Sequence, residues 1–412
     1  MDNGDTAPPP PAKTKRRKKM PYLSHDLVSE ILVRLPVEAL LRFSCVCKAW
    51  RSTVSGDRSF HRAHLRLQEL FLLVSPHTIT HRSLAHTDKI GLYRWDDTQQ
   101  GATLPLLYAT DLSSDESIDA IMAHCDGLVL LPGKATVRVF NPATRRTLTL
   151  PHSPGADPPR KGPDVFLPRH QAFGLGHDPR SDKYKVARLY YQSLLRSSTT
   201  GGGYDYTIGM EVFTIGTCSL YWRETATRPP YPVSTGQTAT FFKGSLLWTI
   251  DERILGNAAP GLLGFCLENE AFMVMSMPTP PCYPMKDYII SPVLAELREE
   301  LWLAREAADM KTVLIWMCDD IENPQWDQRY TINVFNVRYP CFKPIAAFGD
   351  EIVLREQHRY TRRYNLVTKT SSDMFSIEDC RYHDPNTGVF GYQNRQFSYF
   401  DFIPYIPSLI PV

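Results

Sequence analysis

Two different periodicities divide this chain. Between Leu23 and Leu65 the apolar residues recur at helical spacing, with Leu27, Ile31 and Leu35 four apart and Val28 and Leu32 forming a second row. Ser24 stands where an N-cap is expected, and Asp26 and Glu30 add negative charge early in the helix. Pro36 ends that helix. A second apolar run, Val37, Leu40, Leu41, Phe43 and Val46, leads into Cys47, Trp50, Val54 and Phe60, with Gly56 as the break. The spacing predicts a helical bridge over His61–Glu69. Beyond Leu70 the period changes to two, and the chain becomes a series of short strand-like runs rich in Val, Leu, Phe, Tyr and Trp, broken by Gly, Pro, Asn and Asp.

A loose motif repeats through the β part: a strand, a polar turn, and a second strand that often ends at Pro. It occurs as YRWDDTQQGATLPLLY from Tyr93, VFNPATRRTLTLP from Val139 and EVFTIGTCSLYWRET from Glu211. Further copies are GFCLENEAFMVMSMP from Gly264, VFNVRYPCFKPI from Val334 and YNLVTKTSSDMF from Tyr364. Another hairpin signal precedes several of them, as in CDGLVLL at Cys125, FKGSLLWTI at Phe242, REELWLA at Arg298 and FGDEIVLRE at Phe348. Two hairpins make a four-stranded sheet that cannot bury both faces alone, and stacking such sheets around an axis solves this. The expected fold is therefore α+β, mainly β: a small N-terminal helical unit followed by a β-propeller of about six blades. A single sandwich would need far fewer strands. The final run, Phe397–Leu409, alternates but has no second hairpin after it, so it is expected to pair with an early blade and close the ring.

About forty residues cannot bury the apolar side chains of the helical segment among themselves, so part of that surface is expected to await a partner. The segment resembles an F-box, through Leu23, Leu27, Glu30, Ile31, Leu32, Leu35, Pro36, Leu40, Val46, Cys47, Lys48, Trp50, Arg51 and Phe60. It departs from that family at Ser24, where a proline is usual. The β region resembles the F-box-associated domain of plant F-box proteins, a kelch-like propeller. That resemblance lies in AFGLGHDPRSDKYKVARLYY at Ala172–Tyr191, FNPATRRTLTLP at Phe140–Pro151 and YIPSLIPV at Tyr405–Val412. The implied organisation is a basic tail over residues 1–20, an F-box over 21–65 and the associated domain over 66–412.

The resemblance implies a non-catalytic substrate adaptor of a Skp–cullin–F-box ubiquitin ligase. Its partners would be the Skp adaptor, the cullin scaffold and a target protein. The implied Skp-contacting residues are Leu23, Leu27, Ile31, Leu32, Leu35, Pro36, Leu40, Val46, Cys47 and Trp50. A non-degradative scaffold and a propeller enzyme are the alternatives. Deleting residues 1–69 is expected to leave a propeller that still binds its target.

Composition narrows the field. The chain has 412 residues, 43% hydrophobic and 22% charged, with 33 Pro and 23 Gly, as suits a turn-rich globular protein. No apolar run approaches the roughly 18 residues of a membrane span. Nine cysteines with no CxxC pair indicate neither a disulfide framework nor a zinc ribbon. Residues 1–19 carry six Lys or Arg against Asp2 and Asp5, so a net charge of +2 leaves −2 for the rest, and nucleic acid is not an expected partner. Within that tail Lys15, Arg16, Arg17, Lys18 and Lys19 resemble a nuclear localisation signal, and a nuclear or cytoplasmic location is expected.

Catalytic signatures are absent from the sequence: no GxSxG, HExxH or GxxxxGK[ST]. Cys45 and Cys47 with His61 and His64 have no metal-site spacing, so neither a metal nor a cofactor is expected. Trp95, Trp222, Trp248, Trp302 and Trp316 fall in strand-like runs and are expected in the core, which leaves Trp326 in the PQWDQ loop as the candidate target contact.

Overall fold

Turn chemistry sets the strand boundaries. Asp126-Gly127 and Lys243-Gly244 both have positive φ, as the tightest hairpins require, and Arg298-Glu299 adopts the same conformation without a glycine. The computed structural model describes residues 24–77, 89–95, 103–111, 120–133, 136–153, 160–161, 170–196, 204–217, 220–236, 238–255, 261–278, 292–307, 309, 311–333, 342–356, 360–372, 375–376, 379–384, 387–392 and 399–412. In it the hairpins pair into six antiparallel blades around one axis.

Blade 1 places Tyr399–Tyr405 innermost, followed by Phe71–His77, Lys89–Trp95 and Leu106–Asp111. Blade 2 runs outward as Ala123–Cys125, Leu128–Pro132, Val137–Asn141 and Arg146–Thr149. Blade 3 is Gln171–Asp178, Lys183–Arg196, Tyr204–Thr214 and Arg223–Glu224. Blade 4 is Thr240–Phe242, Ser245–Thr249, Gly261–Cys266 and Phe272–Ser276. Blade 5 is Val293–Leu297, Glu300–Glu306, Thr312–Cys318 and Asp327–Asn333. Blade 6 is Phe342–Phe348, Glu351–Glu356, Tyr360–Asn365 and Phe375–Ser376.

The expected ring closure is present: the last strand pairs antiparallel with the first, from Phe71 opposite Tyr405 to His77 opposite Tyr399. It occupies the axial position that the first strand fills in every other blade, so the two ends of the chain share one sheet.

Two readings need correction. The outer hairpin expected in the repeat from Val334 lies largely outside the described residues, and the described end of that repeat, from Phe342, belongs to the first strand of blade 6. Blade 5 builds its outer hairpin from Thr312–Cys318 and Asp327–Asn333, whose polar connection disguises it in the sequence. Gln192–Gly209, whose Ser, Thr and Gly content predicts a long connection between strands, is strand at both ends instead. The second and third strands of blade 3 continue past a bulge between Tyr191 and Ser193, and Leu194 is buried where it faces Tyr206. A small three-stranded sheet of Thr103–Leu104, Arg381–His383 and Phe390–Tyr392 had no clear signal in the sequence.

The motif Ala172–Tyr191 forms the inner hairpin of blade 3. Gly174 and Gly176 let blade 4 approach: a Cβ at Gly176 would lie 2.5 Å from the Phe241 ring, and one at Gly174 2.9 Å from Leu246. Burial raises the Asp178 carboxyl, yet hydrogen bonds from Ser181 and Lys185 outweigh it and bring the group down to about 2. Gly176→Ala should therefore cost about 1–3 kcal/mol by overpacking. Chemical denaturation checks this; an unchanged midpoint would show that the Phe241 ring yields freely.

Candidate functional site

Four helices precede the propeller: α1 His25–Leu32, α2 Val37–Phe43, α3 Lys48–Gly56 and α4 Arg58–Leu67. Their caps follow from the sequence. Ser24 accepts the Leu27 amide at 3.3 Å, and Asp57 accepts those of Ser59 and Phe60 at 2.9 and 3.1 Å. Asp57→Ala should cost about 1 kcal/mol and fray α4, read as faster amide exchange over residues 58–61.

The helices bury one face on the propeller. Leu32, Val33, Val37, Leu40, Val54 and Phe60 join Leu73, Ile90 and Leu92 of blade 1 and Val129, Leu131 and Phe140 of blade 2 in one apolar cluster. Further along, Arg62 donates to His177 Nε2 at 2.7 Å and pairs with Asp182, while Arg58 lies 3.7 Å from Asp182. The turn of the blade 3 motif thus anchors α4.

The opposite face keeps its apolar side chains in solvent. Leu27 is 55% exposed, Ile31 54% and Val46 61%, and Leu41 and Phe43 are exposed beside them. The Phe43 ring meets Trp50 edge-on at 5.8 Å, holding both where α2 turns into α3.

Of the residues expected to contact an adaptor, Leu27, Ile31, Pro36, Val46 and Cys47 lie exposed, and Leu35 and Trp50 are half-buried. Leu32 and Leu40 are a correction. They are 2% and 0% exposed, because the rows that helical spacing makes equivalent are divided between solvent and propeller. Leu41 and Phe43 were passed over, although they sit in the same apolar run. Leu23 and the basic run Lys15, Arg16, Arg17, Lys18 and Lys19 lie outside the described residues. Trp326 is a second correction. It is half-buried, packs against the core between blades 4 and 5, and donates its indole N–H to the Ser276 carbonyl at 2.9 Å, which makes it a staple between strands. Of the tryptophans expected in the core, Trp95, Trp248, Trp302 and Trp316 are buried. Trp222 is half-buried and donates to the Pro151 carbonyl at 2.7 Å.

The drawn metal set also separates. Cys45 and Cys47 are exposed, whereas His61 and His64 are buried, their Nε2 atoms on the carbonyls of Val54 and Leu35 at 2.8 and 2.9 Å. Those carbonyls accept, so each Nε2 carries the proton, and His64 Nδ1 is left buried without a partner. Burial lowers the pKa of His61, His64 and His177 below the ordinary 6.5. The unfolded chain binds protons first on acidification, so their stabilisation is complete above pH 6.5 and is lost as pH falls through the folded values. Amide protection of α1–α4 should decline as pH falls below about 6.5, before that of the outer blades. Uniform decline would refute this local control.

Among the described residues no helix is long and apolar enough to cross a membrane. Residues 20–62 match the F-box domain family, and residues 99–412 match the family described as F-box associated beta propeller domain. F-box protein At5g10340 of Arabidopsis thaliana is 26% identical, the alignment covering 95% of this chain and 84% of that one. Putative F-box protein At4g21240 of the same plant is 24% identical over 88% of this chain and 79% of its own. Among solved structures, apo AztD from Citrobacter koseri aligns over 83% of this chain and 99% of its own, at 8% identity and a TM-score of 0.39.

Proposed function

The chain belongs to the F-box-associated β-propeller family, and from that premise we propose that it serves as the target-recognition subunit of a Skp–cullin–F-box ubiquitin ligase. The observation that carries the reading is the two-sided F-box. Its buried side merges with blades 1 and 2, while Leu27, Ile31, Leu41, Phe43 and Val46 remain in solvent on the other side. An exposed apolar face of that kind marks a protein contact. The Skp adaptor would cover it, and the cullin scaffold would be reached through the adaptor.

In this reading the chain breaks no bond itself. Holding a target near a charged conjugating enzyme turns a bimolecular encounter into a local one, and a rigid joint between F-box and propeller fixes that geometry. The joint built by the shared core and the Arg62–Asp182 pair supports such a role. Target choice would then lie on propeller surfaces away from the F-box.

The test compares ubiquitinated-lysine profiles of cells expressing the full chain with cells expressing the Leu27→Asp/Ile31→Asp variant. Proteins modified more with the first and not with the second are the expected result. Identical profiles would overturn the adaptor role. The basic run is proposed to direct nuclear import: neutralising Lys15–Lys19 should move a fluorescent fusion towards the cytoplasm, and an unchanged distribution would refute it.

A further inference from the structure

A cavity of about 560 Å³ lies on the propeller axis, walled by the innermost strands of blades 1, 2, 4, 5 and 6. Its size is that of sites for small organic molecules, which combine a largely apolar wall with a few polar groups that set orientation. Met122, Leu294, Ile345 and Phe402 supply apolar wall along its length. The charged groups are not spread evenly but gather at one end.

The first strand of each blade runs into a tight turn, and the turns of blades 2, 4 and 5 meet at that end of the cavity. Asp126, Glu296 and Glu299 line it together with Lys243 and Arg298. The two cations are engaged elsewhere: Lys243 donates to the Asp319 carbonyl at 2.7 Å, and Arg298 donates to the Gly349 carbonyl of the next blade. The carboxylates meet only neutral donors, Asp126 the Tyr184 hydroxyl at 2.8 Å and Glu296 the Glu299 amide at 3.1 Å. Among the described residues none of the three pairs with Lys, Arg or His.

Burial, and after it the charges of Glu299 and Asp126, push the Glu296 carboxyl above its ordinary value, outweighing the Glu299 amide that lowers it. Negative charge is therefore crowded against an apolar cavity with no cation to balance it. Lys343, the remaining cation of the wall, stands four residues along its strand from Ala347 at the turn end, about 13 Å away at the rise of a strand. An ammonium group on an apolar body answers both the charge of this end and the character of the wall behind it.

We propose that the axial cavity binds a small organic ammonium ion, its charge among Asp126, Glu296 and Glu299 and its apolar body along Leu297, Ile345 and Phe402. The ammonium group belongs either to a free amine or to the N-terminus of a short peptide; the volume excludes a folded partner. A bound cation favours the ionised carboxylates, so binding strengthens as pH rises through the carboxylate range towards neutrality.

Titration calorimetry on the full chain tests this with 4-phenylbutylamine beside 4-phenylbutanol, and with a short leucine-led peptide beside its N-acetyl form. The charged member of a pair should bind, and its uncharged partner at least about tenfold more weakly. Methylamine, which carries the charge without the body, should also bind at least about tenfold more weakly. Response to the peptide alone assigns the ammonium group to a chain end; response to 4-phenylbutylamine assigns it to a free amine. Asp126→Asn and Glu296→Gln keep an acceptor for the Tyr184 hydroxyl and the Glu299 amide while removing a charge, and each should weaken binding about tenfold. The proposal is overturned if neither amine nor peptide binds at about 1 mM, if charged and uncharged partners bind alike, or if methylamine binds as tightly as the larger ions. Tighter binding of 4-phenylbutyrate, or unchanged binding by both variants, would overturn it as well. If a variant fails to fold, the paired ligands on the unaltered chain still decide the matter.

Discussion

Deleting residues 397–412 should leave a chain that cannot hold the propeller closed. The segment carries the axial strand of blade 1, whose ladder to Phe71–His77 would be exposed along its length. Six side chains after residue 396, Phe400, Phe402, Ile403, Tyr405, Leu409 and Ile410, are at least nine-tenths buried. At about 1.5–3 kcal/mol each, their burial amounts to about 9–18 kcal/mol as an upper bound, comparable with the whole stability of a typical domain. Polar contacts go with them: Asn141 Nδ2 donates to the Ser408 and Ile410 carbonyls at 3.0 and 2.9 Å, Tyr405 accepts the Ala143 amide, and Asp401 accepts that of Met122. The expected product aggregates or is rapidly cut by protease, since a freed central edge is a template for pairing with other chains. A soluble truncated protein with an unchanged melting temperature would show that five blades and part of a sixth suffice.

The second large effect separates docking from folding within one helical unit. Leu27→Asp/Ile31→Asp should reduce adaptor capture by at least about a hundredfold, because two carboxylates would be buried in an apolar contact with no partner. Both side chains are more than half exposed in the free chain, so its own stability should change by less than about 1 kcal/mol. Leu40→Asp should do the reverse, unfolding the unit and disturbing blades 1 and 2, since even truncating a fully buried leucine costs about 2–5 kcal/mol. Pull-down with the Skp adaptor and thermal melting, read on both variants, check this. Wild-type capture by the double variant would place docking elsewhere. The same shared core argues against testing the halves by deletion: removing residues 1–69 uncovers Leu73, Ile90 and Phe140 and should not yield an intact propeller.

The local layer of this structure was legible in the amino-acid order. The caps at Ser24 and Asp57, the tight turns at Asp126-Gly127 and Lys243-Gly244 and the alternation of each strand depend on residues a few positions apart. Repetition of that layer was enough to expect about six blades, although it missed the outer hairpin of blade 5, and the unpaired final run was enough to expect closure, because a ring leaves one edge to fill. Tertiary structure decided which side of each element meets what. Leu27 and Leu40 share the same helical logic, yet one faces solvent and the other is enclosed by blades more than thirty residues further along the chain. Trp326 reads as a loop residue until its indole is seen on the Ser276 carbonyl fifty positions away. Periodicity sorts side chains into faces, whereas the energy of a face depends on the surface brought against it, and here distant segments supply that surface.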